Sequence, residues 1–313
     1  MTEAQRISVV LPTYNRSARL LECLQSLERQ SMPPDAFDVV IVDDGSTDDT
    51  AASVAGFQRQ SKLQLTFIAG EHAGPGAARN RGVQHARYDI LGFIEDDVIA
   101  EEHWLERAAA EFTRTHAHCV EGTTLIQQNT ESVRVFDDPA NFSFIPCNLF
   151  IKKEIFLKAG GYDERFFDPE RNLYFREDAE LGFRLIESGC TLAKASDVIV
   201  HHPEQYAAPL DALRHVRRFF FDPLLYVKHP RLFRTSLEAK KIGNLRFNRP
   251  FHYLSLFYVL FFLFILFELL NNNAWGVLLG SALLLLAHAG IRFRYERSYV
   301  PRLWDITGTL AYL

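Results

Sequence analysis

Two common nucleotide-binding signatures are missing from this 313-residue chain. Its first apolar run, "ISVVLP", leads into "PTYNRSAR", where a dinucleotide-binding domain would have a glycine-rich turn. "GPGAAR" carries two of the three glycines, but after the third apolar run, which is the wrong place. No GxxxxGK[ST] occurs, so a P-loop nucleotidase is excluded. Cysteine is scarce: Cys23, Cys119, Cys147 and Cys190 are widely spaced with no CxxC, and are expected to be reduced, mostly buried thiols in a cytosolic setting. The N-terminus "MTEAQRISVV" has no charged-then-apolar leader, so the front of the chain is expected to stay in the cytosol. Basic charge is short in front as well. Residues 1–210 carry 20 Lys+Arg against 33 Asp+Glu, a net of about −13. Phosphate backbones are held by basic surfaces, so nucleic acid is not an expected partner.

The back of the chain has the opposite character. Residues 211–313 carry 14 Lys+Arg against 6 Asp+Glu, a net of about +8. Two apolar runs, 251–270 ("FHYLSLFYVLFFLFILFELL") and 274–291 ("AWGVLLGSALLLLAHAGI"), have the length needed to span hydrocarbon. Phe and Leu cover every face of the first, which argues against a helical hairpin buried in a soluble core. Arg and Lys flank both runs, and the linker Asn271–Asn273 has none, so both flanks are expected on the cytoplasmic side of the inner (plasma) membrane. Between them and the front domain, 206–250 mixes Arg with Phe, Leu and Tyr and reads as a basic amphipathic interface segment facing anionic lipid. Residues 292–313 then form a cytoplasmic or interfacial tail.

The front reads as an alternating α/β unit. "ISVVLP", "FDVVIVDD", "LQLTFIAG" and "YDILGFIEDD" predict four buried strands, each followed by a helical pattern: "SARLLECLQSLERQ", "TDDTAASVAGF", "GPGAARNRGVQHA" and "EEHWLERAAAEF". Alternation implies right-handed crossovers and a largely parallel sheet. Ligands of such sheets bind at the carboxyl ends of the strands. "PTYNR", "VDDGSTDD" and "IEDDV" all fall there. The last holds three consecutive carboxylates, which repel one another unless a cation compensates. Taken alone, they could also be a solvated loop opening the next helix.

Six motifs in order, "ISVVLPTYNR", "VVIVDDGSTDDT", "GPGAARNRG", "FIEDDV", "GGYDERFF" and "REDAELGFRL", resemble family 2 glycosyltransferases with the GT-A fold over roughly residues 6–205. The resemblance implies a doubly wound, mainly parallel α/β domain over 1–205, and the two apolar runs are expected to follow it as a C-terminal transmembrane helical hairpin over 251–291. It also implies a nucleotide-diphosphate sugar donor, a divalent metal (Mg²⁺ or Mn²⁺) and an inverting transfer. By the same resemblance Pro12, Thr13, Tyr14 and Asn15 contact base and ribose. Asp44 accepts from the base, usually uracil, and Arg79 lies near the donor phosphates. The plain alternative for Asp44 is turn capping within "DDGSTDD". The acidic triplet aligns with the DxD motif, giving Asp97 as direct metal ligand, Asp96 toward the ribose or a metal water, and Glu95 where Asp is more usual. One or two carboxylates suffice for such ions, which keep several waters.

In "REDAELGFRL" the ED pair opens a helix whose period turns Leu181, Leu185 and Ile186 to the core. Asp178 is implied as the base that takes the acceptor hydroxyl's proton, with Glu177 orienting it. A helix-start acidic cluster is the competing reading, and Glu180 reads as structural. His201 in "VIVHHPE" is implied as a metal or diphosphate ligand, and Asn148 as a lining residue of the acceptor pocket. The whole then reads as a membrane-anchored enzyme whose acceptor is a membrane-associated cell-envelope glycan or lipid-linked sugar. Two rivals stand beside it: transfer to a polyprenyl phosphate, which needs no strong base, and a non-catalytic nucleotide-sugar-binding membrane protein.

Overall fold

The computed structural model describes residues 5–128, 131–134, 142–203, 217–237, 239–242, 245–248 and 250–271, with 276 and 280. Runs of Val and Ile too short for helices make the central strands. β1 (Ile7–Thr13) and β2 (Phe37–Asp43) are buried at every position, as strands covered on both faces must be. β3 (Leu65–Ala69) and β4 (Ile90–Phe93) complete a parallel set in the order β3-β2-β1-β4. The crossovers are α1 (Ser17–Glu28), α2 (Thr50–Gln58) and α3 (Gly74–His85). Side chains of β1 alternate between two cores. Ile7, Val9 and Leu11 pack with α1 and with α4 (Trp104–Thr115), while Val10 packs with α3.

Beyond β4 the sheet is mixed. β8 (Leu149–Lys152) runs antiparallel to β4 and to β6 (Cys119–Gln128); β11 (Leu192–His202) runs parallel to β6. β5 (Ile99–Ala100) closes the edge antiparallel to β11, and β7 (Glu131–Arg134) pairs antiparallel with β6. The expected mainly parallel, doubly wound sheet therefore holds for one half only. The strand-then-helix alternation that implied it stops after α4, and β8 is not the end of a helical crossover of that series. Strand order reverses between β1 and β4, which opens a crevice at their carboxyl ends.

α5 (Lys153–Ala159), the short hairpin β9 (Phe167–Asp168) and β10 (Leu173–Tyr174), and α6 (Glu177–Glu187) complete this unit. Leu181 and Leu185 of α6 are fully buried as the period requires. Ile186, expected in the core, is 38% exposed, because the apolar stripe of α6 is already filled by Ala179, Leu181, Phe183 and Leu185. Three of the four cysteines are buried and all are free.

The chain divides into two compact units, Met1–Tyr206 with Arg218–His229, and 207–217 with 230–313. The expected interface segment is thus divided: the helix Asp222–Lys228 buries Leu225 inside the first unit, and Lys228 is paired there with Asp163 and Glu180. In the second unit, Ala239–Ile242 and Leu245–Asn248 form an antiparallel hairpin, and a 21-residue helix, Pro250–Leu270, covers the first apolar run. Phe262, Phe267 and Leu270 on it are exposed. Among the described residues, no helix is long and apolar enough to cross a membrane. The second apolar run, apart from residues 276 and 280, and the tail 292–313 lie outside the described residues.

Candidate active site

The crevice is built by polar residues that begin where the strands end. Thr13, the last residue of β1, donates from Oγ1 to Asp96 Oδ2 at 2.8 Å. Asp96 is 5% exposed, and burial raises its pKa against the pull of Arg16 and Thr13. Arg16 Nη1 reaches both Asp96 Oδ1, at 3.1 Å, and Asp97 Oδ2, at 2.9 Å. The other oxygen of Asp97, Oδ1, is buried without a hydrogen-bond partner among the described residues. His202 Nε2 is 3.6 Å from it. Glu95, Asp97 and His202 each bring one ligand atom to within 4.8 Å of the others. Oxygen and imidazole donors at that mutual spacing suit a divalent cation.

Glu95 also faces the other way. Its Oε1 accepts from Arg79 Nη2 at 3.0 Å, and Arg79 Nη1 lies 3.6 Å from Glu177 Oε1. Arg79 is 2% exposed, and its Nε and Nη1 have no hydrogen-bond partner among the described residues. Its guanidinium sits 5.4 Å from the centroid of the Tyr162 ring. One buried cation thus joins the triplet to the ED pair at the start of α6. The carboxylates on both sides of it are hard to ionise: burial raises the pKa of Glu95, Glu177 and Asp178, and the charge of Asp178 raises that of Glu177 further. Glu95, standing where Asp is more usual, thus serves both Arg79 and the Asp97–His202 side.

A second cluster surrounds Tyr14. The His72 ring stacks on it, centroids 4.2 Å apart and planes at 14°, and Phe167 of β9 meets His72 edge-on. Asp44 Oδ2 lies 2.8 Å from His72 Nδ1 and accepts from Gly74 N at 2.9 Å, while its Oδ1 accepts from Ala73 N at 2.9 Å. Asp44 thereby ties the loop before α3 to the end of β2, and Asp43 serves the local turn by accepting from Ser46 N at 2.8 Å. Gly74, at φ +86°, opens α3 where a Cβ would lie 2.6 Å from Phe167 Cγ. Asn15, at φ 53°, accepts from the amides of Thr47 and Asp48 and locks the "GSTDD" turn. Pro12 is buried in β1, with its partner Val42 beside it.

Two expected positions are corrected. The histidine beside the carboxylates is His202, whereas His201 Nε2 lies 3.2 Å from Glu101. Successive strand residues point to opposite faces, and His202 shares the parity of buried Val198 and Val200. Asn148 is 1% exposed and fully engaged: it accepts from Trp104 Nε1 and donates to Thr123 O and Val198 O. It cross-links core strands and, buried there, is not open to an acceptor sugar. Arg16 and His72 went unassigned in the sequence. Arg16 stands inside the quoted "PTYNR", whereas the isolated His72 of "GEHAG" carries no pattern that would single it out.

The model of the family described as Glycosyl transferase family 2 matches residues 8–182. Glycosyltransferase AglE of Haloferax volcanii is 27% identical over 210 residues, 63% of this chain and 66% of AglE. Poly(ribitol-phosphate) beta-N-acetylglucosaminyltransferase TarS of Staphylococcus aureus is 33% identical over 112 residues, 36% of this chain and 20% of TarS. The matches therefore span less than two thirds of these relatives' own length. Among solved structures, S. aureus TarS 1–349 superposes with a TM-score of 0.55 at 21% identity, covering 75% of this chain and 67% of that one. The mannosyltransferase PcManGT of Pyrobaculum calidifontis, solved with GDP-Man and Mn²⁺, gives a TM-score of 0.56 at 19% identity over 75% of this chain and 71% of that one. At such identities the likeness establishes the fold, a mixed α/β GT-A-like sheet.

Proposed function

Because the chain belongs to glycosyl transferase family 2, we propose that it moves a sugar, with inversion, from a nucleoside-diphosphate donor to a hydroxyl of an acceptor. The observation that carries this reading is Arg79, which contacts Glu95 on one side and Glu177 on the other. It links the acidic triplet to Glu177, the neighbour of the candidate base Asp178.

The residues fit a divalent metal. Asp97 Oδ1 is a buried oxygen with no hydrogen-bond partner among the described residues, and Glu95 and His202 offer the other two ligand atoms. When bound, Mg²⁺ or Mn²⁺ would neutralise charge on the departing nucleoside diphosphate. Asp178, ionised, takes the proton as the acceptor oxygen forms its bond to the anomeric carbon and the bond from that carbon to the phosphate oxygen breaks. Glu177, sharing the charge of Arg79, holds the start of α6 against the cleft. Tyr14, Thr13 and the Asp44-tied loop form the nucleotide side. Solved fold relatives carry UDP, UDP-GlcNAc or GDP-Man, which supports a nucleotide sugar and leads us to favour UDP. The apolar runs near the C-terminus support a membrane anchor at the cytoplasmic face of the plasma membrane, and with it a membrane-associated glycan or lipid-linked acceptor.

The test is a panel of UDP- and GDP-sugars with the purified chain, with Mn²⁺, Mg²⁺ or chelator, followed by thermal unfolding and by release of the nucleoside diphosphate. Binding to the folded state alone raises the melting temperature. One donor class should stabilise the chain with metal only and should be turned over. Stabilisation without any turnover would support a binding protein instead. Absence of both would sink the proposal.

A further inference from the structure

The residue that opens the ED helix is held in a conformation that side chains resist. Arg176 has φ 77° and ψ −1°, the left-handed region, where a non-glycine residue persists only when its surroundings impose it. Those surroundings are specific. Arg176 Nε donates to Asp222 Oδ1 at 2.7 Å and Nη2 to Oδ2 at 3.4 Å. The guanidinium lies 4.4 Å from the ring centroid of Phe175 and 5.7 Å from that of Phe219.

Asp222 comes from outside the family match, at the first residue of the helix Asp222–Lys228. The far end of that helix is tied to the same region. Lys228 Nζ donates to Asp163 Oδ2 at 2.5 Å and to the fully buried Glu180. His229 Nδ1 lies 2.8 Å from Glu187 Oε2, and its ring meets Phe183 edge-on. A short helix distant in sequence is therefore clamped to α6 at both ends. The Asp222 end acts on the residue that sets the direction in which α6 starts, since the Arg176 carbonyl accepts the first helical hydrogen bond, from Glu180 N at 2.9 Å.

We propose that Asp222 is a positioning residue: by holding Arg176 in the left-handed conformation it fixes how α6 presents Glu177 and Asp178 to the cleft. The proposal rests on the reading of Asp178 as base. It makes the chain beyond the family match a working part of the catalytic unit, and it gives Arg176 the role of a strained hinge that a remote carboxylate keeps closed.

The experiment uses the full chain and three variants: Asp222→Ala, Arg176→Gly and the double variant. Turnover is read as release of UDP from UDP-glucose or UDP-N-acetylglucosamine with Mn²⁺. Asp222→Ala should lower kcat about tenfold, the equivalent of losing the hold on one strained residue, with donor KM unchanged. Glycine adopts positive φ without help, so the double variant should regain most of the lost kcat. A double variant as slow as Asp222→Ala, or an effect of Asp222→Ala on KM alone, overturns the proposal. Hydrogen exchange separates this from the base assignment. Ala179 and Glu180 amides should exchange faster in Asp222→Ala than in the parent, and at parental rates in the double variant. Equal rates throughout overturn the tether even where Asp178→Asn abolishes turnover. Unchanged turnover in Asp178→Asn overturns the base assignment, and the exchange rates still decide the tether.

Discussion

Arg16 Nη1 lies 2.9 Å from Asp97 Oδ2, so a guanidinium of the chain itself rests on the carboxylate best suited to a divalent cation. A divalent cation on the other oxygen of Asp97, Oδ1, would lie close to that guanidinium and be repelled by it. Arg16 is 47% exposed, and ion pairs of such exposure are worth about 0.2–1 kcal/mol. Arg16→Ala should therefore tighten Mn²⁺ binding by roughly one and a half- to fivefold, the equivalent of that range. Titration followed by the paramagnetic signal of free Mn²⁺ measures it, and added salt should narrow the difference. Weaker binding in the variant would mean that Arg16 supports the cation site and does not compete for it.

Arg79 is the opposite case, a cation with no access to solvent. Its removal would leave the buried Glu177 and the partly exposed Glu95 without the cation that both contact. Breaking such an arrangement costs about 3–5 kcal/mol. Arg79→Met keeps the bulk and removes the charge, so urea unfolding at neutral pH should show a loss of that order. Restoring neutrality with Glu95→Gln and Glu177→Gln in the same chain should return much of it. A loss below about 1 kcal/mol would show that water or another group already compensates the pair.

Glu177 supplies a stability test with a defined sign. Burial first, and the Asp178 charge second, raise its pKa in the folded chain. A carboxyl with a raised folded pKa contributes most below its unfolded value, near 4.3, and that contribution is lost as pH climbs through the folded value. Glu177→Gln removes the titration, so it should raise the melting temperature at pH 8 by about 2–4 °C for each kcal/mol regained. The gain should vanish near pH 4. A destabilised variant at pH 8 would mean that the Arg79 contact outweighs desolvation.

What the sequence disclosed follows from how far each feature depends on local pattern. The four parallel strands, their helices and the acidic strand ends were readable because burial on both faces demands unbroken apolar runs, and α/β crossovers put their ends together. The mixed half of the sheet was not, since β8 and β11 carry no periodic signal that fixes direction. His202 was one residue away from the expected His201, a shift that alternation along a strand turns into the opposite face. Asn148 looked like a pocket residue because nothing local announces a buried amide bonded to Trp104, Thr123 and Val198. Arg176 and Asp222 are 46 residues apart, and no short motif can report a pairing of that separation.

The proton-transfer step gives the sharpest prediction. Asp178 sits at the first turn of α6, one of its oxygens held by the Ala179 amide at 2.6 Å. Burial raises its pKa more than that amide, Arg176 and Arg79 lower it. A base must be ionised to accept a proton, so kcat should fall on the acid side with a midpoint above the ~3.9 of an ordinary aspartate. Asp178→Asn should reduce kcat by about 10²–10⁴ while donor binding, read from thermal stabilisation by UDP, stays as in the parent. The acid limb belonging to this group should disappear with it. An acceptor that is already an anion, such as a lipid phosphate, carries no proton to remove, and then the asparagine variant would keep most of its turnover. That outcome would move the chain to a different class of acceptor while leaving its cation corner and its nucleotide side untouched, because Asp97, His202 and Tyr14 do not act through Asp178.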